Sequence, residues 1–183
     1  MDRRVKYTKM VLRQSLLELM AARPVGRITV TALCARADIN RNTFYVHYGS
    51  PADVLLEIEE DLMQEIQQSL ESLMEVEHVM DMLTEILRSI DRNRSLCRVL
   101  FSETGDAAFL PRILAIAHDR SVSAWKMAKP SLDGEQMEML YAFFSQGSAA
   151  VIRRWIVQDE GPSPETLAGF LQQLIGKGFQ SFA

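Results

Sequence analysis

Ile28-Thr-Val-Thr-Ala-Leu-Cys-Ala-Arg-Ala-Asp-Ile-Asn-Arg-Asn-Thr-Phe-Tyr-Val-His-Tyr48 is the stretch on which the fold turns. Two short helices around a tight turn account for its pattern. Thr29 suits the N-cap of the first, because its hydroxyl can take a backbone N–H that the first turn leaves unpaired. Leu33 and Ala37 then stand four apart on one face, and Ile39 follows as an apolar plug in the turn. Asn40 can cap a second helix over Arg41–Tyr48, with Phe44 and Tyr48 inward at i, i+4. Arg41, Asn42, Thr43, Tyr45 and His47 remain outward. A cation, an amide, a hydroxyl, a phenol and an imidazole suit base edges and phosphate oxygens. The pattern alone fits equally a helical hairpin whose polar face is simply solvated.

Charge separates these readings. Residues 1–50 hold nine Lys/Arg against three Asp/Glu, the rest holds eleven against twenty-one, and the whole chain carries −4. A basic head on an acidic body is an electrostatic footprint for a polyanion. At 183 residues and 48% hydrophobic content the chain can bury a full core in one or two domains. Cys34 and Cys97 read as buried, reduced thiols. No apolar segment follows the basic N-terminus, and the longest uncharged run, Met139 to Ile152, is too short and polar to span a bilayer. A cytoplasmic protein without membrane contact is expected.

Working outward, the first helix is expected near Tyr7 to Ala22, with Leu12, Leu16, Leu19 and Met20 as its stripe, ended by Pro24 and Gly26. Arg3, Arg4, Lys6 and Lys9 precede or open it. After the quoted stretch, Gly49 turns the chain, Ser50 fits an N-cap, Pro51 the first helical position and Asp53 the first turn. From there to Phe101 no glycine or proline interrupts. Leu55, Ile58, Leu62, Ile66, Leu70 and Leu73 mark a fourth helix. A polar break at Glu75 to His78 leads to a fifth with Met82, Leu83, Ile86, Leu87 and Ile90. A sixth segment over Ser95 to Ser102 is closed by Gly105. A seventh helix is expected from Ala107 to about Lys129, an eighth from Gly134 to Val157, and a last one capped by Ser163 with Pro164 first. The eighth is apolar on more than one side, which asks for cover on more than one side. The expectation is an all-α chain of about nine helices. Residues 1–50 form a three-helix, helix-turn-helix DNA-binding domain, and residues 51–183 a helical regulatory and dimerisation domain.

Ile28-Thr-Val, Leu33, Ala37-Asp-Ile-Asn-Arg-Asn-Thr-Phe-Tyr-Val-His-Tyr-Gly-Ser50 and Asp53-Val-Leu55 together resemble the DNA-binding domain of the TetR family of bacterial transcriptional regulators. The Thr43-Phe-Tyr-x-His-Tyr core, six residues after Ala37, is its most specific part. Asp38 stands where that family commonly has a turn glycine, Asn42 where it has a small residue, and Pro51 where it has a lysine placed for phosphate. Ala142-Phe-Phe-Ser-Gln-Gly-Ser-Ala-Ala-Val-Ile-Arg-Arg-Trp155, with Ser163-Pro-Glu165, resembles a branch that includes dihydroxyacetone kinase operon regulators, one of which answers to a protein partner.

The resemblance implies a homodimeric, sequence-specific transcriptional regulator, a repressor whose operator affinity an effector changes, with double-stranded operator DNA and a second copy as partners. A regulator or interaction module controlled by a protein partner, without a small-molecule effector, is the alternative. The DNA contacts expected are Arg41 and Asn42 for base edges, and Thr43, Tyr45 and His47 for phosphates. Thr31 and Lys9 are added to that set. The effector is expected among Met82, Phe101, Trp125, Tyr141 and Phe144, and the dimer interface at Phe143, Gly147, Ala150, Phe170 and Leu174. His78 and His118 lack partners at metal-like spacing, since Asp119 adjoins His118 and adjacent helical residues point apart. Both are read as solvated. No nucleophile elbow, phosphate loop or zinc motif appears, so neither catalysis nor a cofactor nor a metal is expected.

Overall fold

The computed structural model describes residues 3–71 and 79–180; Leu73 and the expected break at Glu75–His78, including His78, lie outside the described residues. Within them the chain is all-α. Ten helices follow in order: α1 (Arg3–Met20), α2 (Val30–Ala37), α3 (Arg41–His47), α4 (Pro51–Glu71), α5 (Val79–Arg92), α6 (Arg94–Leu100), α7 (Phe109–Ala115), α8 (His118–Ala128), α9 (Gly134–Val157) and α10 (Pro164–Gln180). None among the described residues is long and apolar enough to cross a membrane.

Two compact units result, Met1–Gln64 with Arg98–Ala107, and Glu65–Cys97 with Ala108–Ala183. The first, the head, is built on Leu12, Leu16 and Met20 of α1, Leu33 of α2, Phe44 of α3 and Val54 of α4, all fully buried. The α1 stripe is completed by Ser15 instead of Leu19, which stays only partly covered. Thr104 closes the C-terminal end of α1 by donating its hydroxyl to the Met20 carbonyl at 2.7 Å. Gly105 is required beside it: a Cβ there would stand 2.1 Å from the Leu100 carbonyl oxygen.

In the second unit, the body, α10 packs on α5, and α9 packs on α7 and α8. An Asp133–Gln136 capping box starts α9. Its far end is held by Arg94, which donates to the carbonyls of Trp155 and Gln158, both at 2.9 Å. A guanidinium suits that position because it meets both the unpaired carbonyls and the negative end of the helix dipole.

The helix expected over Ala107–Lys129 is two. The amides of Ile116 and Ala117 reach back only three residues, to Ile113 (3.2 Å) and Leu114 (3.1 Å). That tightening, with Ala117 at φ −89°, ψ 0°, ends α7 before α8 begins at His118. It raises the helix count to ten. On α9, Met137, Leu140, Ser148, Ala149, Ile152, Trp155 and Ile156 are buried, and Val151 is only partly so.

Candidate DNA-binding helix and ligand cavity

The quoted stretch folds around caps that its own residues supply. Thr29 Oγ1 accepts from the Ala32 amide at 3.1 Å, and Asn40 Oδ1 from the Asn42 amide at 2.8 Å. Asp38, at φ 53° and ψ 44°, takes the left-handed conformation that ends α2. Aspartate pays less for this than most side chains, which is why the turn closes without glycine. Beyond α3, the Asp53 carboxylate accepts from the Gly49 (2.8 Å) and Ser50 (3.0 Å) amides and locks the entry to α4. Pro51 is buried at the first position of that helix.

With Phe44 and Tyr48 inward, α3 presents Arg41, Asn42, Thr43 and Tyr45 outward, and His47 is half-exposed at its last turn. Thr31 is exposed at the start of α2. Among the described residues Arg41 carries no ion pair. Val46 belongs to the same surface at 77% exposure, a position the sequence reading passed over. A β-branched apolar residue between two polar aromatics was the available signal, since it has no inward partner at i±4 on so short a helix.

Lys9 differs from the rest of the expected set. Its ammonium lies 2.7 Å from Glu57 Oε2 and 5.4 Å from the centre of the Tyr48 ring. Arg13 continues the same network, 3.8 Å from Glu57 and 2.7 Å from Asp61. These pairs lash α1 to α4 directly under the end of α3. Burial, and then the Glu57 carboxylate, hold the Tyr48 hydroxyl well above its ordinary pKa, so it stays neutral within the network.

The body holds a cavity of about 390 Å³ between α5, α8, α9 and α10. Trp125, Tyr141 and Phe144 line it, with Phe179 closing the aromatic wall. Trp125 is centred 5.9 Å from Phe144, 5.4 Å from Phe179 and 6.3 Å from Tyr141. The Tyr141 hydroxyl donates to the Leu114 carbonyl at 2.8 Å, and burial pushes its pKa up to about 12. Two of the expected lining residues lie elsewhere. Met82 is buried in α5 while its neighbours Leu83 and Ile86 face the cavity, and Phe101 belongs to the head unit.

A second, larger concavity of about 780 Å³ runs along the outer side of α9 and α10. Phe143, Gly147 and Leu174 line it, and Phe170 lines a smaller hollow next along the same pair of helices. Phe143 is 73% exposed, and Met139, Phe170 and Leu174 are each at least half-exposed. Ala150 is exposed on the same helix.

His118 corrects the solvated reading. Nδ1 lies 2.8 Å from Asp119 Oδ1 and Nε2 lies 2.9 Å from Glu138 Oε2. His118 and Asp119 sit in the first turn of α8, and Glu138 reaches the imidazole from α9. The Asp119 and Glu138 hydrogen bonds raise the imidazole pKa. Cys34 and Cys97 are buried and unbridged; burial raises both thiols, Cys97 to about 12.

Residues 77–177 match the family model of a TetR-type "transcriptional regulator C-terminal region". The chain belongs to the TetR family of transcriptional regulators. Among solved structures, a TetR regulator from Streptococcus agalactiae superposes with a TM-score of 0.69 at 22% identity, over 95% of this chain and 96% of that one. A TetR-family regulator from Syntrophomonas wolfei gives 0.61 at 14% identity, over 97% of both chains. The dihydroxyacetone kinase operon activator DhaS gives 0.59 at 19% identity, over 96% and 97%. No curated protein matches the sequence significantly.

TetR regulators bind DNA and dimerise. The three departures of this chain from the common TetR pattern all fall on the head: Asp38 in the turn, Asn42 on the exposed face of α3, and Pro51 buried at the start of α4. Counted over the whole head unit, ten basic residues meet ten acidic ones. The basic excess of residues 1–50 is therefore offset by α4 and by residues 98–107, and DNA affinity must come from where the cations stand.

Proposed function

We propose that the chain is a homodimeric operator-binding regulator in which each copy places α3 in a major groove. The observation that carries this is the division of α3 into two faces. Phe44 and Tyr48 anchor it inward, while Arg41, Asn42, Thr43, Tyr45 and Val46 are all open to solvent. Arg41 can bond guanine O6 and N7, and Asn42 can pair with adenine N6 and N7. Val46 adds what the polar set lacks, an apolar surface for a thymine methyl group. Thr43, Tyr45, His47 and Thr31 serve phosphate oxygens. Lys9 is assigned to holding α1 against Glu57 and Tyr48, because its charge is already committed there.

The second copy covers the outer side of α9 and α10, where Phe143, Gly147, Ala150, Phe170 and Leu174 would be withdrawn from water. Residues 1–50 act as the DNA-binding domain and residues 51–183 as the regulatory and dimerisation domain. Half-sites then lie about one helical turn, ~34–36 Å, apart. Repression by occupancy asks for nothing beyond such binding and is the sign we adopt. An effector in the body acts by binding one conformation better than the other, which is the only way a ligand shifts such an equilibrium. Fluorescence anisotropy on DNA from upstream of the chain's own gene tests the reading. Salt-sensitive, sequence-selective binding by a dimer is expected; binding indifferent to sequence, or none, defeats it.

A further inference from the structure

We infer that the body cavity takes an uncharged molecule of one or two fused rings carrying a hydroxyl or carbonyl group, held between the Trp125 wall and two serine hydroxyls. This names the ligand class of the effector site, and its regulatory consequence rests on the function proposed above. Three observations converge on it. First, among the described residues no lysine, arginine, aspartate or glutamate lines the cavity. A buried charge without a partner is strongly disfavoured, so a carboxylate or an ammonium does not belong there.

Second, the wall is built of rings at edge-on and tilted angles. Trp125 meets Phe144 at 76° and Phe179 at 35°. Such a wall gives a flat apolar body close contact and directional ring interactions. At about 390 Å³ the space is within the range of small-molecule sites.

Third, Ser121 of α8 and Ser148 of α9 line the same cavity and are each only 7% exposed. Among the described residues neither hydroxyl takes part in a hydrogen bond. The other polar groups of the wall are engaged, Tyr141 with Leu114 and Ser145 with Ala142. Neither oxygen is fully enclosed, so each can be reached from the cavity, and a guest that bonds it gains a hydrogen bond that a wholly apolar guest cannot make. A serine hydroxyl both donates and accepts, so it can serve a guest's carbonyl or its hydroxyl.

The test is calorimetric titration of the full-length dimer at pH 7 with 2-naphthol and 1-tetralone, against naphthalene and 2-naphthoate. Saturable binding of both polar neutral probes, one site per chain, is expected. The charged 2-naphthoate should bind on the order of 100-fold more weakly. Ser121→Ala and Ser148→Ala should each weaken 2-naphthol by roughly 3- to 10-fold and leave naphthalene unchanged. Ala124→Trp, which fills the cavity, should abolish binding while helical content is retained. No saturable binding of the neutral probes, equal binding of 2-naphthoate, or serine variants indistinguishable from wild type would each overturn the assignment. An anisotropy titration with operator DNA separates the two levels. Probe binding that leaves DNA affinity unchanged keeps this site and removes effector control, whereas intact DNA binding with no probe binding removes this site alone.

Discussion

Replacing Lys9 by methionine separates a structural lysine from a phosphate-binding one. The side chain keeps its apolar stem and loses the ammonium, which lies 2.7 Å from Glu57 and over the Tyr48 ring. Both partners of the ion pair are about a quarter exposed, at 24% and 27%. A pair so placed contributes about 0.2–1 kcal/mol and the cation over the ring about 0.5–1 kcal/mol. Arg13, 3.8 Å from the same carboxylate, keeps Glu57 from being left without a cation, so the larger penalty for an orphaned charge does not apply. The expected loss is therefore about 1 kcal/mol, read as a lower urea midpoint with unchanged slope at one fixed protein concentration. Glu57→Gln should cost a similar amount, and the double variant less than the sum. On DNA the decisive quantity is the salt dependence. Each phosphate contact contributes about 0.9 to the slope of log K against log salt, so two phosphate-bound lysines per dimer would remove about 1.8. We expect the Lys9→Met slope to match wild type. A slope shallower by that amount, with stability untouched, would refute the reasoning and return Lys9 to the DNA.

Other consequences are equally direct. Arg41→Ala should cost about 1–3 kcal/mol of discrimination at one base pair while affinity for random DNA changes little; uniform weakening on all sequences would move Arg41 to the phosphates. Ala150→Asp should give monomers in analytical ultracentrifugation, and an intact dimer would place the interface away from the outer side of α9. His118, whose pKa is raised by Asp119 and Glu138, stabilises the fold fully below its ordinary value of about 6.5 and loses that contribution as pH rises through the raised value. The thermal-stability gap between wild type and His118→Gln should accordingly narrow from acid to alkaline pH, and a widening gap would contradict the assigned contacts. Cys97, buried with its thiol pushed up to about 12, should resist alkylation in the native protein at pH 8 and react on unfolding.

What could be read from residues alone was the chemistry that acts within a few positions. Thr29, Asn40, Ser50 and Asp53 are caps whatever surrounds them, because a cap satisfies amides two to four residues away. Phe44 and Tyr48 four apart set the inward face of α3, and with it most of the outward residues proposed to meet DNA. Asp38 was marked as a turn position by the resemblance, since it stands where the TetR pattern commonly has glycine. These suffice for the head because its elements are short and locally determined.

Tertiary structure decided everything that depends on partners distant in sequence. Lys9 and Glu57 stand 48 residues apart, His118 and Glu138 twenty, and no helical period reports such pairs. The neutrality of the head likewise appears only when α4 is folded beside α1. In the body, α9 is apolar on several sides, so its sequence names candidates for a core, a cavity and an outer face without assigning them. Only the packing of α8 and α10 shows that Phe143 faces the outer concavity alone, while Phe144 and Ser148 stand between it and the inner cavity and line both. The sequence by itself determined the helix-turn-helix and its exposed side chains, through local hydrogen bonds and period. The structure alone decided which charges remain available and what the body can hold, because burial and pairing are properties of three-dimensional neighbours.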